Sequence, residues 1–157
     1  MIDVPELIDW DLPDPFILPI TVQPEDVDRL GHANNVVYVR WLEEVSWAHI
    51  ESLGMTWERH EATGKAMAIT RTEIDYLAAA NEGEHLLLGT WLVDFDGRFR
   101  SARRFQLMRV SDGKCLVRAL STHACVDLKT QRPARVPKEY GELLGHAVVR
   151  VDEPVDE

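Results

Sequence analysis

Apolar side chains recur at helical spacing between residues 36 and 53. The side chains that follow the i, i+3, i+4, i+7 rule of one helix face are Tyr38, Trp41, Leu42 and Val45. Asn34 or Asn35 suits the N-cap, because an Asn side chain accepts hydrogen bonds from the free N–H groups of the first turn. Gly54 suits the position at which the helix stops. The pattern therefore predicts one helix of about five turns.

Apolar runs on both sides of this helix predict β-strands. The runs cover residues 16–22, 66–77, 86–95, 99–110 and 115–128. Asp96-Gly97 and Asp112-Gly113 separate consecutive runs, and Asp-Gly is a strong hairpin signal because Gly tolerates the positive φ of a type I′ turn. Consecutive hairpins require an antiparallel sheet. We interpret residues 54–64 as a connection and predict a short helix at 138–144.

The predicted helix and the third predicted strand are each apolar on more than one side. The helix is apolar around most of its circumference, so we expect the sheet to wrap around it. The third strand is apolar on both faces, with one face formed by Leu86, Leu88 and Leu92 and the other by Leu87, Trp91 and Val93. An antiparallel sheet usually turns one face to solvent. We therefore expect the second face to pack against another copy of the protein.

Length and charge favour one domain with no affinity for nucleic acid or membranes. We divide the 157 residues into an N-terminal arm (1–14), a single domain (15–146) and an acidic C-terminal tail (147–157). The net charge of −10 argues against binding to nucleic acid or anionic lipid. No apolar run reaches membrane-spanning length. The N-terminus carries acids where a signal peptide has a basic region, so we expect a cytoplasmic protein.

The two cysteines, Cys115 and Cys125, fall in one predicted strand. Ten residues of strand span roughly 33 Å, whereas disulfide-bonded cysteines have Cα atoms within about 7 Å of each other. The two residues therefore cannot bridge within one chain, and their spacing is not a zinc signature. We expect two free thiols in a reducing compartment and no metal site.

A polar loop, residues 26–35, runs into the N-terminus of the predicted helix. Backbone N–H groups at a helix N-terminus stabilise negative charge, and acyl transfer needs such donors for its oxyanion. A purely structural interpretation stands beside this one, because Asp, Gly and Asn are common in the loops and caps that precede helices.

The loop and the helix carry the motif Asp28-x-x-Gly31-His32-x-Asn34-Asn35-x-x-Tyr38-x-x-Trp41-Leu42-Glu43-Glu44. This motif resembles the acyl-CoA thioesterases of the hotdog fold, in the hydroxybenzoyl-CoA thioesterase-like superfamily, and the resemblance extends over residues 16–144. It implies an α+β hotdog fold in which an antiparallel sheet of five or six strands wraps around one long central helix. It also implies hydrolysis of an acyl-CoA to free acid and CoA, with no cofactor besides the CoA moiety of the substrate.

The resemblance also implies roles for the loop residues. Asp28 is the general base on water or the nucleophile on the thioester carbonyl. Backbone N–H groups of Gly31, His32 and Ala33 hold the oxyanion. The His32 side chain orients the acid, polarises the carbonyl or positions water, unless it only fixes the loop by a local hydrogen bond. Asn35 touches the acyl carbonyl or, as the structural alternative, ties the loop.

Other polar residues have a structural interpretation beside a catalytic one. Asp26 is the rival acid, and we interpret it as a loop or cap residue. Glu43 matches a carboxylate that is frequent on the family's helix, and it has a catalytic or water-positioning role or forms a surface ion pair with Arg40. One of Glu43 and Glu44 must face inward if the helix is wrapped, where an unpaired acid is costly. His123, on the fifth strand, either points toward the site or is a core residue with satisfied hydrogen bonds, and we favour the core residue.

Residues 98–118 contain seven basic residues and one acid in a chain of net charge −10. Strand parity places Arg100 and Arg104 on one face, and Arg103 with Phe105 on the other. Coenzyme A presents phosphates that guanidinium groups bind well, so we favour Arg100 and Arg104 as CoA-binding residues. The alternative is a solvated sheet face or ion pairs between subunits.

The expected partners are an acyl-CoA or acyl-carrier-protein substrate and further copies of the chain, in a homodimer or homotetramer. Two other functions occur on hotdog folds and remain open: a non-catalytic acyl-CoA-binding module, and an acyl-CoA dehydratase or hydratase. The segment from Asp28 to Asn35 favours the hydrolase over both. A binding module would tolerate the loss of Asp28, whereas hydrolysis would not.

Overall fold

A computed structural model describes residues 2–151 of the chain. These residues form five strands and three α-helices, all five strands joining one antiparallel sheet in the order β1-β3-β4-β5-β2. The elements in chain order are β1 (Phe16–Thr21), a 3₁₀ turn (Pro24–Asp26), α1 (Asn35–Ser52), α2 (Trp57–Thr63), β2 (Lys65–Tyr76), β3 (His85–Phe95), β4 (Arg100–Arg109), β5 (Cys115–Asp127) and α3 (Lys138–Ala147). The predicted tail 147–157 starts at the last residue of α3, and 152–157 lie outside the described residues.

The two predicted hairpins join β3 to β4 and β4 to β5. Gly97 and Gly113 have φ angles of 81° and 71°, in the left-handed region that Gly enters without steric cost. Asp96 supports the first turn, because its Oδ1 accepts hydrogen bonds from the N–H groups of residues 98–100. The predicted antiparallel sheet is confirmed with five strands in the described part of the chain. The alternative of a sixth strand is not confirmed there.

The segment 54–64, which we expected to be a connection, contains α2. The Thr56 side chain caps this helix by accepting from the N–H of Arg59, and Gly64 ends it with a φ of 70°. Seven residues make only about two turns, too few for an apolar period to show in the sequence. The helix predicted at 138–144 is found as α3. The described residues thus hold three helices, and one long helix is an incomplete description of them.

The longest helix, α1, packs on one face of the sheet. Asn34 is its N-cap, with Oδ1 accepting from the N–H of Val36 at 3.2 Å. The buried residues of α1 contact apolar residues of β3, β4 and β5 in one cluster that includes Val37, Tyr38, Trp41, Leu42, Val45, Leu86, Leu88, Phe105, Leu107 and Val117. Val36, Val39 and Trp47 are 74%, 46% and 39% exposed. The sheet of a single chain therefore covers one side of α1 and leaves the side with these three residues exposed.

The second face of the sheet is covered by residues 4–13 of the same chain. Ile8 packs against Leu87 in a separate apolar cluster. The rings of Trp10 and Trp91 meet edge to face with their centroids 6.0 Å apart. For Leu87 and Trp91 on this face of β3, the expected cover by another copy is wrong, because the chain itself covers them.

Polar contacts fix this N-terminal segment to the sheet. The buried side chain of Gln106 accepts from the N–H of Asp11 at 2.8 Å and donates to the carbonyl of Asp9 at 3.1 Å. The guanidinium of Arg118 holds the Asp11 carboxylate with two hydrogen bonds of 2.7 and 3.0 Å. Satisfied buried polar groups of this kind specify one position for a segment. The predicted arm therefore forms a layer of the folded domain.

Gly89 makes room for Trp10, and its replacement is expected to loosen this layer. A Cβ at position 89 would lie 2.6 Å from the Cζ3 atom of Trp10, so the ring or the strand must shift. We expect Gly89→Ala to lower the free energy of unfolding by about 1–3 kcal/mol in a denaturant titration. The matched control is Gly145→Ala in α3, where the new Cβ meets nothing within 4 Å and Ala is the better helix former by about 1 kcal/mol. Unchanged stability of Gly89→Ala would contradict the packing.

Both cysteines lie on β5, Cys115 at its start and Cys125 two residues before its end. Both are free thiols, as predicted. Burial raises the pKa of each thiol, which keeps both in the protonated and less nucleophilic form.

Candidate active site

The loop that precedes α1 closes on itself as a narrow hairpin. Val27 and Ala33 form a β-bridge across it. Inside this bridge the N–H of Asp28 donates to the carbonyl of His32 at 2.9 Å, and the N–H of Gly31 donates to the carbonyl of Asp28 at 3.0 Å. Gly31 has a φ of 76°, which a residue with a Cβ rarely adopts. We call residues 27–34 the Asp28 loop.

The Asp28 carboxylate is exposed at the edge of this loop. Its Oδ1 accepts hydrogen bonds from the N–H groups of Leu30 at 2.8 Å and His32 at 3.3 Å. Within residues 2–151, no hydrogen bond is made to Oδ2. One oxygen therefore shapes the loop, and the other is open to substrate or water.

The backbone amides at the tip of the loop already have acceptors in the chain. The N–H of Gly31 donates to the Asp28 carbonyl, that of His32 to the Asp28 side chain, and that of Ala33 to the carbonyl of Ala80 at 2.8 Å. These are the three amides that the resemblance implies as oxyanion donors. In this conformation their hydrogens point at the chain itself.

The first turn of α1 offers a different donor. The Asn34 side chain accepts a hydrogen bond from the N–H of Val36 at 3.2 Å. The main-chain carbonyl of Asn34 accepts one from the N–H of Val37 at 2.9 Å. Among the described residues, none accepts a hydrogen bond from the N–H of Asn35. Asn35 is also exposed, side chain included. The positive end of an 18-residue helix thus presents one free amide beside the Asp28 loop.

The remaining predicted site residues flank this point at different distances. The His32 side chain is exposed on the loop, whose main chain bridges to Asn81. Glu43 lies eight residues into α1, about 12 Å along the helix axis. Both Glu43 and Glu44 are exposed, and Glu44 lies 3.4 Å from Arg40. The expectation that one of the two acids faces inward is therefore wrong for the single chain, because the sheet covers only one side of α1.

Asp26 has the structural environment that we predicted for it. It is buried and accepts hydrogen bonds from the Nη2 of Arg40 at 2.8 Å and the N–H of Gln23 at 2.9 Å. Burial alone would raise the pKa of this carboxyl, but the hydrogen bonds from Arg40 and Gln23 outweigh burial and hold the pKa below its usual value. An ionised, paired carboxylate in the loop base supports the loop and is not free for proton transfer.

A cavity of about 230 Å³ lies between α1, the sheet and α3. Its wall is mostly apolar, with residues from α1, β2, β3 and α3. Glu43 stands at its mouth, beside β2, the edge strand of the sheet. The polar side chains that line its interior are Ser46, Ser101, Arg103, His123 and Tyr140.

Arg103 is a buried guanidinium in this cavity wall, with 3% of its surface exposed. Its Nη1 donates to the Nδ1 of His49 at 2.7 Å and to the Oγ1 of Thr90 at 3.3 Å. No carboxylate between residues 2 and 151 forms an ion pair with it. Both partners of this cation are neutral groups.

The ionisation states around Arg103 follow from burial. Burial, and then the positive charge of Arg103, lower the pKa of His49 and of His123 to about 4. Burial raises the pKa of Tyr140 to about 12 and lowers that of Arg103 to about 10. At neutral pH the two imidazoles and the phenol are therefore uncharged, and Arg103 keeps its charge.

Arg100 and Arg104 are exposed on the sheet face opposite α1. They alternate along β4 with Arg103, which points to the α1 side. Arg109, at the opposite end of β4, donates to the main chain beside the Asp28 loop. The ten residues of β4 span about 30 Å. A single chain therefore does not bring Arg100 to its own Asp28 loop.

Residues 2–151 contain no helix that is both long enough and apolar enough to cross a membrane. In the same part of the chain, no three His, Cys, Asp or Glu side chains cluster as ligands of a metal ion.

A family model described as the thioesterase-like superfamily matches residues 22–144. This range begins before the Asp28 loop and ends within α3, so it includes the loop, α1 and the cavity. It covers well over half of the chain. The chain belongs to the thioesterase-like superfamily. The resemblance inferred from the motif is thereby confirmed, and so is the class of thioester hydrolases at the level of the family.

Two bacterial thioesterases have related sequences. The long-chain acyl-CoA thioesterase FadM of Escherichia coli is 28% identical over 130 residues, covering 82% of this chain and 96% of FadM. The acyl-CoA thioesterase YbgC of Haemophilus influenzae is 26% identical over 132 residues, covering 83% and 95%. The structure of SAV2348 from Staphylococcus aureus, solved in complex with CoA, shares the fold with a TM-score of 0.80 at 17% identity, over 94% of each chain.

Our sequence interpretation missed the polar interior of the cavity. His123, interpreted as a core residue, has a buried Nδ1 without a hydrogen-bond partner. The sequence does indicate that Arg103 is unusual, because strand parity places this arginine on the interior face of β4 with Phe105. A charged residue at an interior strand position is rarely buried unless it is paired. His49 and Thr90, which contact Arg103, carried no such signal.

Proposed function

We propose that this member of the thioesterase-like superfamily hydrolyses an acyl-CoA to a free acid and CoA at the Asp28 loop. The observation that carries the proposal is the Asp28 carboxylate, held by backbone hydrogen bonds beside the N-terminus of α1 with one oxygen open. The names of FadM and YbgC support an acyl-CoA as the substrate. The CoA bound to SAV2348 supports a CoA site on this fold.

The reaction needs a base or nucleophile and a donor for the oxyanion. Asp28 takes a proton from the water that attacks the thioester carbonyl, or attacks the carbonyl itself to form an anhydride that water then hydrolyses. In both routes the C–S bond breaks and CoA leaves as the thiolate; the water oxygen ends in the free acid when water attacks the acyl carbonyl, of the thioester in the first route and of the anhydride in the second. A thiol of pKa about 8.5 is a good leaving group. We therefore propose a reaction without a metal or redox cofactor.

Among these backbone amides, the N–H of Asn35 is the best hydrogen-bond donor for the oxyanion. This amide has no acceptor in the described chain, whereas the N–H groups of Gly31, His32 and Ala33 are already used. The partial positive charge of the helix N-terminus further stabilises the oxyanion. The exposed side chains of His32 and Asn35 lie beside the same point, and we propose that they position the attacking water and the acyl carbonyl.

A free sheet edge supports assembly into a homodimer. Strand β2 has 12 residues and pairs only with β5 in the described sheet, so its other edge presents unpaired N–H and C=O groups. Ile69 on this strand is 53% exposed. We propose that two copies pair along β2 and extend the sheet. Sedimentation at low micromolar concentration is expected to give a dimer or a larger even assembly, and a monomer would contradict the pairing.

Antiparallel pairing of two β2 strands would also join the separated parts of the site. The Asp28 loop is tied to the chain just after the end of β2, through the carbonyl of Ala80. Arg100 lies at the other end, because it pairs with Ala124, which in turn pairs with Ala68. The partner's Asp28 loop would then face Glu43 and the cavity mouth on the α1 side, while Arg100 lies near the same end of the sheet on its opposite face. We propose water positioning for Glu43 in that composite site, and CoA contact for Arg100 and Arg104 on the opposite face beyond the sheet edge.

A panel of CoA esters tests the proposed function against its rivals. Saturated acyl-CoAs of several lengths, the same acyl groups on a carrier protein, and enoyl-CoAs are incubated with the protein, and thiol and acid are quantified. A thioesterase releases thiol and acid in equal amounts. Tight binding without thiol release would instead indicate a binding module. Loss of the enoyl absorbance without thiol release would indicate a hydratase.

A further inference from the structure

Arg103 leaves most of its hydrogen-bonding capacity unused inside the cavity. Only its Nη1 donates to the chain, to His49 and Thr90. Within residues 2–151, neither Nε nor Nη2 has an acceptor, and no carboxylate is in ion-pair range. Buried guanidinium groups are almost always paired with an anion. No carboxylate of residues 2–151 supplies that anion for Arg103.

A second unsatisfied group lines the same cavity. The Nδ1 of His123 is buried and has no hydrogen-bond partner. The Ser101 hydroxyl and the phenol of Tyr140 line the wall with it. Arg103 and these three groups give one polar end to a cavity whose other walls are apolar, with Ile50, Met67, Leu92 and Leu144.

We propose that this cavity binds the far end of an acyl group that carries a carboxylate, so that the substrate class is the ω-carboxyacyl thioesters. This inference rests on the proposed function, because it names the acyl group that the Asp28 loop releases. The free Nε and Nη2 of Arg103 form the planar edge that binds both oxygens of a carboxylate. The neutral His123 and Ser101 supply further donors without competing for charge.

The two ends of the cavity orient such a substrate. The apolar wall accepts the methylene chain, and the carboxylate pairs with Arg103 at the polar end. Glu43 at the mouth repels a carboxylate there, so the thioester end stays outside, beside the β2 edge. An acyl chain that ends in a methyl group would displace water from the Arg103 guanidinium and would offer it no carboxylate to pair with. Burying a charge without a partner is costly.

A carboxylate could reach Arg103 from two sources: the far end of the acyl group, or the acid released by hydrolysis. The first makes the cavity a specificity pocket, and the second makes it a product site. Substrate kinetics and inhibition by the free acid separate the two.

The test compares ω-carboxyacyl-CoAs with methyl-ended acyl-CoAs of the same chain length. We expect the wild-type protein to prefer the carboxylate series at least tenfold in kcat/KM. Arg103→Met is expected to lose this preference, and Arg103→Lys, which keeps the charge without the planar fork, to retain only part of it. Arg132→Met changes an exposed arginine in the same way and should keep the full preference. Circular dichroism establishes that each variant is folded.

Binding to Asp28→Asn, with and without Arg103→Met, gives a readout that does not need turnover. Tighter binding of the carboxylate series that depends on Arg103 supports the pocket even if no CoA ester is hydrolysed, in which case only the proposed function fails. Hydrolysis of methyl-ended esters with no preference for the carboxylate series would overturn the inference. So would a preference that survives in Arg103→Met. Inhibition by a plain monocarboxylic acid that Arg103→Met relieves, with no substrate preference, would assign Arg103 to the product and also overturn it.

Discussion

The Asp28→Asn variant is expected to hydrolyse acyl-CoA about a hundredfold more slowly than the wild-type protein, or slower still, with little change in KM. Asn keeps an Oδ1 that accepts from the N–H groups of Leu30 and His32, which are the hydrogen bonds that shape the loop. It lacks the negative charge that takes a proton or attacks a carbonyl. The substitution therefore removes the chemistry and keeps the loop. Steady-state kcat and KM, with the melting temperature, measure both consequences.

Asp127→Asn is the matched control for this substitution. Asp127 also shapes a loop through its Oδ1, which accepts from the N–H groups of Lys129 and Thr130. Its kcat should remain near that of the wild-type protein. A kcat for Asp28→Asn within about threefold of the control would show that the carboxylate of Asp28 takes no part in the reaction.

Lowering the pH from 6.5 to 5 is expected to destabilise the protein through two half-buried histidines, His49 and His123. Burial, and then the charge of Arg103, lower the pKa of His49 and of His123 from 6.5 to about 4. The unfolded chain therefore binds protons in this window that the folded chain does not. Their contribution to stability is present above pH 6.5 and is lost as the pH falls towards 4. Between pH 6.5 and 5 the loss is about 1.5 kcal/mol for each histidine, or about 3 kcal/mol together.

Urea titrations across this pH range measure the effect, with His49→Asn and His123→Asn each expected to remove about half of the slope. His146 is exposed, so His146→Asn should leave the slope as it is in the wild-type protein. The window above pH 5 keeps most carboxyl groups ionised, which separates the histidines from Asp and Glu. A free energy of unfolding that stays flat from pH 6.5 to 5 would contradict neutral, half-buried imidazoles at His49 and His123.

Local signals predicted most of the secondary structure. The apolar period of α1, the Asn34 cap and the two Asp-Gly turns all act within a few residues, so the sequence displays them directly. The same holds for Thr56 and Gly64, the caps of α2, although seven helical residues are too few for a period. Long-range contacts have no such signal. The apolar second face of β3 predicted a cover, and only the folded chain shows that residues 4–13 supply it.

The candidate site divides in the same way. The motif points to Asp28 because the role proposed for Asp28 depends on the loop that contains it. The Ala33 N–H donates to the carbonyl of Ala80, 47 positions later in the sequence. No local sequence pattern predicts this hydrogen bond. Arg103 was placed on the interior face by strand parity, yet its neighbours His49 and His123 come from α1 and β5. Topology decides which of these groups meet.

The most direct test of thioester hydrolysis is the reaction of an acyl-CoA in ¹⁸O-labelled water under multiple turnover. The mechanism at the Asp28 loop predicts that each thiol released is matched by one free acid carrying one ¹⁸O atom from water, and that Asp28→Asn nearly abolishes both products. Thiol release without labelled acid would show transfer of the acyl group to another acceptor. Label in a CoA ester that is still intact would show hydration. Either result would contradict the assignment of this chain as a thioester hydrolase.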